Sequence, residues 1–133
     1  MSAVLDTHAI LWYLMDAKHL SQSAFSFIDN AASQKSPIYI SAISLVEVAY
    51  LVERNRIPAH AFDLLIAELE RDDSAFTTVS VDQNIAKSLR KISRDLVPDM
   101  PDRIIAATSL HLNVPLITRD RQLQSAGGIK TIW

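Results

Sequence analysis

The sequence predicts an α/β fold, a three-layer α/β/α sandwich with a central parallel sheet. Three observations lead there. Short apolar runs of strand length alternate with stretches whose apolar residues recur at helical spacing, and strands separated by helices need crossovers, which favour parallel pairing. Apolar residues make up 49% of the chain and charged residues 21%, an ordinary globular composition. The 133 residues suit a single domain spanning residues 1–133, large enough to bury about two-thirds of its unfolded surface without staples.

The elements follow in order. Ala3-Val4-Leu5 is an apolar run that ends at Asp6 and reads as a buried strand. Thr7 to Met15 continues as a helix, and Ser21 to Ala32 as a second, with Phe25, Ile28 and Ala32 at helical spacing. Pro37 precedes a second strand, Ile38-Tyr39-Ile40. Leu45, Val48, Leu51 and Val52 recur helically between Ser44 and Arg54. Pro58 opens a further helix through Phe62, Leu65, Ile66 and Leu69. Thr77 to Val81 is β-branched and alternating, a third strand. Gln83 to Leu96 returns to helix, and Pro101 to Leu112 forms another, with proline suitably at its start. Pro115 to Thr118 is a fourth strand, Asp120 to Ala126 a short helix ended by glycine, and Thr131 to Trp133 a last strand.

Composition excludes several chemistries. The absence of cysteine removes disulfides, thiolate zinc sites, iron–sulfur clusters and a cysteine nucleophile. The only glycines are Gly127 and Gly128, so no glycine-rich loop can cradle a nucleotide phosphate. GxSxG is absent, which argues against a serine hydrolase. No apolar run is long enough to span a bilayer and no signal peptide is visible, so the expected location is cytoplasmic and no membrane partner is expected. The net charge of −2 divides unevenly: residues 1–86 carry −6 and residues 87–133 carry +4. A basic second part can attract a polyanion, although Lys87, Arg90, Lys91 and Arg94 also suit a plain solvated helix face.

Four acids fall just past strand ends or at helix starts, where α/β folds collect their chemistry. Asp6 ends the first strand, Glu47 lies in the first turns after the second, Asp102 opens the helix before the fourth, and Asp120 follows that strand. Each also has a purely structural role open to it. Asp6 and Asp120 suit N-caps, Ser44-Leu45-Val46-Glu47 matches a capping box, and Asp102 complements a helix dipole. Their shared placement favours one site. Converged carboxylates at roughly 7 Å repel by about 2 kcal/mol per pair at an effective dielectric near 20. Such a cluster takes up protons or binds cations, and oxygen donors without thiolates suit Mg²⁺ or Mn²⁺. The metal reading is preferred, because an ordinary aspartate is too weak a base at neutral pH, whereas metal-activated water is not.

Other side chains accompany the acids. Thr7, Ser41 and Thr118 are hydroxyls placed to orient a carboxylate or a bound water, besides their propensity for strands and caps. Arg103 and Arg119 are candidates for the scissile phosphate, with a structural ion pair the stronger expectation for Arg103. His8 reads as a positioned helix residue rather than a ligand. Of Trp12, Tyr13, Tyr50, Phe62 and Trp133, most are expected in the core, and the remainder on a surface for a partner, with the helices around residues 44–69 the expected face.

Val4-Leu5-Asp6-Thr7-His8, Ser41 with Val46-Glu47, Asp99 to Thr108 (DMPDRIIAAT), and Leu116 to Asp120 (LITRD) resemble the PIN-domain family, and within it the VapC toxins of type II toxin–antitoxin systems. The motifs span nearly the whole chain in the family's order. The resemblance implies a PIN-like sandwich and an endoribonuclease using one or two Mg²⁺ or Mn²⁺ ions. It implies a cognate VapB-like antitoxin as inhibitor and a homodimer. Matched by motif, the catalytic and metal-binding acids fall on Asp6, Glu47, Asp102 and Asp120, with Asp99 at an often acidic position and Thr118 at the hydroxyl near the last acid. The implied reaction is hydrolysis of RNA phosphodiesters, leaving 5′-phosphate and 3′-hydroxyl ends.

Rival readings are weaker. A haloacid-dehalogenase-type phosphatase needs a second aspartate where His8 stands, and a receiver domain needs a lysine that Lys130 is badly placed to supply. A non-catalytic PIN-like module that binds RNA or protein is the alternative, and the intact set of four acids argues against it.

Overall fold

In the computed structural model, which describes residues 1–133, five short strands form one all-parallel sheet. They are β1 (Ala3–Leu5), β2 (Ile38–Ser41), β3 (Phe76–Val79), β4 (Leu116–Ile117) and β5 (Thr131–Ile132), in the order β3-β2-β1-β4-β5. Register is fixed by apolar partners on both sides of β1: Leu5 lies opposite Ile40 and Ile117, and Val4 opposite Tyr39 and Leu116. Ala3, Val4 and Leu5 are wholly buried, as a central strand covered on both faces requires.

Alternation along the strands divides the core into two layers. Ala3, Leu5, Ile38, Ile40 and Ile117 point to one face. That face is covered by α1 (Thr7–Met15), α2 (Gln22–Ser33), α3 (Ala42–Glu53) and α4 (Ala61–Glu70), through residues such as Ile10, Ile28, Val48 and Leu65. Val4 and Leu116 point the other way, onto α5 (Gln83–Leu89), α6 (Met100–Leu112) and α7 (Arg121–Ser125), through Ile85, Ile105 and Leu123. The expected three-layer sandwich is thus the observed one. A single 3-10 turn, Ala17–His19, links α1 to α2.

The structure departs from the sequence reading at several boundaries. The helix expected to run from Gln83 to Leu96 stops at Leu89. Arg103 on α6 takes the carbonyls of Leu89 and Ile92 with its guanidinium, and Ile92 and Val97 turn inward to the core instead of continuing the helix. Pro58 does not open α4. It begins a turn closed by Ala61 N–H to the Pro58 carbonyl, and the helix starts at Ala61. The third strand lies one to two residues earlier than Thr77–Val81, because Phe76 pairs with Ile38 and is buried, while Asp82 caps α5. Pro101 sits inside the first turn of α6, whose cap is Asp99. No helix is long and apolar enough to cross a membrane.

Candidate active site

Strand order reverses beside β1: the chain steps to β2 and β3 on one side, then returns to β4 and β5 on the other. The crevice beyond the carboxyl ends of β1 and β4 is therefore where loops diverge and a ligand has room. A cavity of about 470 Å³ opens there, lined by Asp6, Thr7, His8, Trp12, Glu47, Asp99, Asp102, Arg119 and Asp120. All four sequence-predicted acids meet in it, together with Asp99 and Thr7.

Asp6 leaves β1 and enters α1. Its Oδ1 accepts the Ala9 N–H at 2.8 Å, so it is the expected N-cap. Its Oδ2 accepts the Thr118 hydroxyl at 2.5 Å. The same Thr118 Oγ1 accepts the Asp120 N–H at 3.0 Å. Asp120 in turn caps α7, accepting from Gln122 and Leu123 N–H groups. One wholly buried threonine therefore ties the acid after β1 to the acid after β4.

Glu47 does not close a capping box. The cap of α3 is Ser41, whose Oγ accepts the Ile43 N–H, and this buried serine is absent from the cavity lining. Glu47 instead accepts the Thr7 hydroxyl at 2.6 Å, with Ser44 Oγ 3.0 Å from the same hydroxyl. Thr7, just after β1, thus orients Glu47 of α3, as Thr118 orients Asp6. Asp99 caps α6 through the Asp102 N–H. The Asp102 carboxylate itself accepts no protein hydrogen bond and stands half-buried in the first turn of α6.

These acids perturb one another. Burial pushes the Asp6 carboxyl above its ordinary value, against the lowering pull of Thr118 and Ala9. Burial also raises Glu47, with Asp99 and Asp6 adding repulsion and the Thr7 hydroxyl opposing. Asp102 is pushed up to about 7, first by burial and then by the charges of Asp99, Asp120, Glu47 and Asp6. None of the five is neutralised by an ion pair. The pairs in this molecule lie elsewhere, Lys18 and His19 with Asp16, and Arg71 with Glu68 and Asp73.

The donor set fits a hard divalent cation. It consists of carboxylates, two of them oriented by hydroxyls, with a charge excess that a cation would relieve. No three of these acids stand close enough together to form a ready-made cage for an ion.

The two arginines part company. Arg103 is spent on the Leu89 and Ile92 carbonyls and lies outside the cavity lining, and its expected ion pair is replaced by these backbone contacts. Arg119 lines the cavity, with its guanidinium carbon 4.9 Å from the centre of the Trp12 ring. His8 is exposed at the rim, 5.6 Å from that ring. Trp12, Tyr13, Phe62 and Trp133 all pack against the core, as expected for most aromatics, but Trp12 also forms a cavity wall, a role its apolar helical setting hides in the sequence. Tyr50 is the aromatic left outside, 55% exposed. It borders a second groove of about 390 Å³ with Ile43, Val46, Leu51, Met100 and Pro101, which shares Glu47 and Asp99 with the acidic cavity. Lys87, Arg90, Lys91 and Arg94 are solvent-exposed.

Comparison with known proteins agrees with this architecture. The PIN domain family matches residues 3–129. Ribonuclease VapC22 of Mycobacterium tuberculosis is 29% identical over 128 residues, covering 93% of this chain and 91% of the relative. The fold is similar to that of VapBC2 from Rickettsia felis, solved bound to a DNA fragment from its promoter, with a TM-score of 0.74 and 18% identity over 99% of this chain and 98% of that one. DNA-bound VapBC from Salmonella typhimurium aligns with a TM-score of 0.70 and 19% identity over 99% and 97% of the two chains.

Proposed function

The chain belongs to the PIN-domain family, and from that premise we propose that it is a divalent-metal-dependent endoribonuclease, the toxin of a toxin–antitoxin pair, acting in the cytoplasm. The observation that carries the reading is the meeting of Asp6, Glu47, Asp99, Asp102 and Asp120 in one cavity without a counter-cation from an ion pair. The relative named above is a ribonuclease, and the two structural relatives are toxin–antitoxin complexes.

Asp6, Glu47, Asp102 and Asp120 would hold one or two Mg²⁺ or Mn²⁺ ions. Bound there, the cation supplies Lewis acidity that lowers the pKa of water and offsets phosphate charge. The protein's own part is orientation and charge. Thr118 fixes the Asp6 carboxylate and Thr7 fixes Glu47, so neither has to be ordered when a ligand arrives. Asp102, its carboxyl pushed up to about 7, is part-protonated near neutrality, and a cation bound there would favour its charged form. Hydrolysis leaves a 5′-phosphate and a 3′-hydroxyl, and a product pool of 2′,3′-cyclic phosphates would defeat this mechanism.

The groove around Tyr50, Val46 and Met100 gives the cognate antitoxin, or a second copy of the chain in a homodimer, an apolar surface that borders the acids. The decisive experiment is cleavage of a mixed RNA pool by antitoxin-free protein with Mg²⁺, Mn²⁺ or EDTA, beside Asp6→Asn and Asp102→Asn. Cuts that need metal and vanish in both variants are expected. Folded protein that cuts with neither metal would instead favour a non-catalytic binding module.

A further inference from the structure

Arg119 is the only lysine or arginine that lines the acidic cavity. A guanidinium beside so many carboxylates would ordinarily pair with one of them in a bidentate bond. Arg119 pairs with none and makes no side-chain hydrogen bond; it lies against the face of Trp12, 4.9 Å from the ring centre. The Trp12 ring is itself held in place. It packs on the core, with Trp133, His8 and His19 ring centres 5.6–5.8 Å away. The backbone of Arg119 is equally fixed, between Thr118 N–H bonded to the Ile132 carbonyl and Asp120 N–H bonded to Thr118 Oγ1. A guanidinium engaged through its π face keeps its N–H fork free at the edge.

We propose that Trp12 is a positioning residue that parks Arg119 away from the carboxylates and presents its N–H fork to an RNA phosphate adjoining the one that is cut. This rests on the ribonuclease reading and adds to it a grip on the strand that uses no metal ligand. Were the ring absent, Arg119 would fall onto Asp6 or Asp120 as an ion pair. It would then lose its hold on RNA and oppose cation binding at once.

Four proteins test the proposal: Trp12→Leu, Trp12→Phe, Arg119→Gln and the double variant Trp12→Leu/Arg119→Gln, each checked for its melting temperature. Affinity for a labelled single-stranded RNA is read by polarisation in Ca²⁺ across a series of chloride concentrations. Trp12→Leu and Arg119→Gln are each expected to weaken binding about tenfold and to lower the salt slope by about 0.7, the share of one single-strand phosphate contact. The double variant should be no worse than either, and Trp12→Phe should stay within about threefold of wild type, because a ring remains. Mn²⁺ titration calorimetry supplies a separate readout. Trp12→Leu should bind Mn²⁺ several-fold more weakly, and the double variant should recover.

An unchanged salt slope in Arg119→Gln, an exposed position that cannot unfold the core, overturns the phosphate grip. A normal slope and normal Mn²⁺ affinity in folded Trp12→Leu overturn the positioning role. Displacement of RNA by inorganic phosphate beyond that by chloride at equal ionic strength, lost in Arg119→Gln, would replace the strand with a free phosphate and overturn the proposal as stated. The two readings fail separately. RNA that is bound in this pattern yet cut with neither Mg²⁺ nor Mn²⁺ removes the ribonuclease, whereas RNA that is cut with identical slopes in every variant removes only the grip.

Discussion

Thr118 donates a 2.5 Å hydrogen bond to Asp6, a residue 112 positions away in the chain, across the place where strand order reverses. The bond joins the ends of β1 and β4 and aims a buried carboxylate into the cavity. Thr118→Val keeps the shape and removes both the donor to Asp6 and the acceptor for the Asp120 N–H. It should cost about 1–3 kcal/mol, because two buried polar groups lose a partner. It should also cut RNA cleavage by about 10–100-fold, the usual range for a lost orienting contact at a metal site. Urea melts and single-turnover cleavage check the two effects, and wild-type values in both would sink the claim.

Stability of the metal-free protein should fall as pH rises from about 5 to 8. The folded Asp102 carboxyl titrates at about 7, above its ordinary 3.8, so the folded state binds more protons than the unfolded one between these values. The stabilisation is complete below the lower value and disappears as pH passes the upper. Glu47 and Asp6, also raised, act in the same direction. Thermal melts in EDTA across this range should show the melting temperature decline, and a rise toward pH 8 would contradict the sign.

Asp102→Asn should stabilise the metal-free protein at pH 8 while abolishing cleavage. The substitution removes a charge disfavoured first by burial and then by its acidic neighbours, and leaves the capping of α6 with Asp99. Gains of this kind accompany losses of function at sites built for charge. A melting temperature below wild type in EDTA at pH 8 would show that the cluster is not repulsive.

Mn²⁺ should raise the melting temperature, and by more at pH 8 than at pH 6, since protons and cations compete for the same oxygens. At a free concentration about a hundred times its Kd, a one-site ligand contributes about 2.7 kcal/mol. Asp102→Asn should lose most of that shift. Scanning calorimetry with and without the ion measures it.

Arg103→Met should destabilise the fold by about 1–3 kcal/mol, because the Leu89 and Ile92 carbonyls lose a charged donor. The salt slope of RNA binding should stay at the wild-type value. A reduced slope would return Arg103 to the phosphate candidates.

The parts of this protein that were legible in its sequence are those set by local pattern. Ala3-Val4-Leu5, Ile38 to Ile40 and Leu116-Ile117 are apolar enough to be central strands, and the rule that chemistry gathers beyond strand ends then singles out Asp6, Glu47, Asp102 and Asp120. Beyond small shifts at Pro58 and Pro101, what failed was decided by groups distant in the chain. The helix from Gln83 was cut short where a residue on another helix takes its carbonyls. Glu47 left a plausible capping box for the hydroxyl of Thr7, 40 positions earlier. Trp12 reads as core because one side of it is core, and only the meeting of α1 with the segment after β4 gives its other side a task.

Three of the cavity acids, Asp6, Asp99 and Asp120, are also helix N-caps. Asparagine caps a helix about as well as aspartate, so exchanging one oxygen for an amide at Asp99 or Asp120 keeps the cap while removing a charge from the cavity. Charge and architecture are therefore separable at these two positions, whereas Asp6 has both oxygens committed, one to the Ala9 N–H and one to the Thr118 hydroxyl.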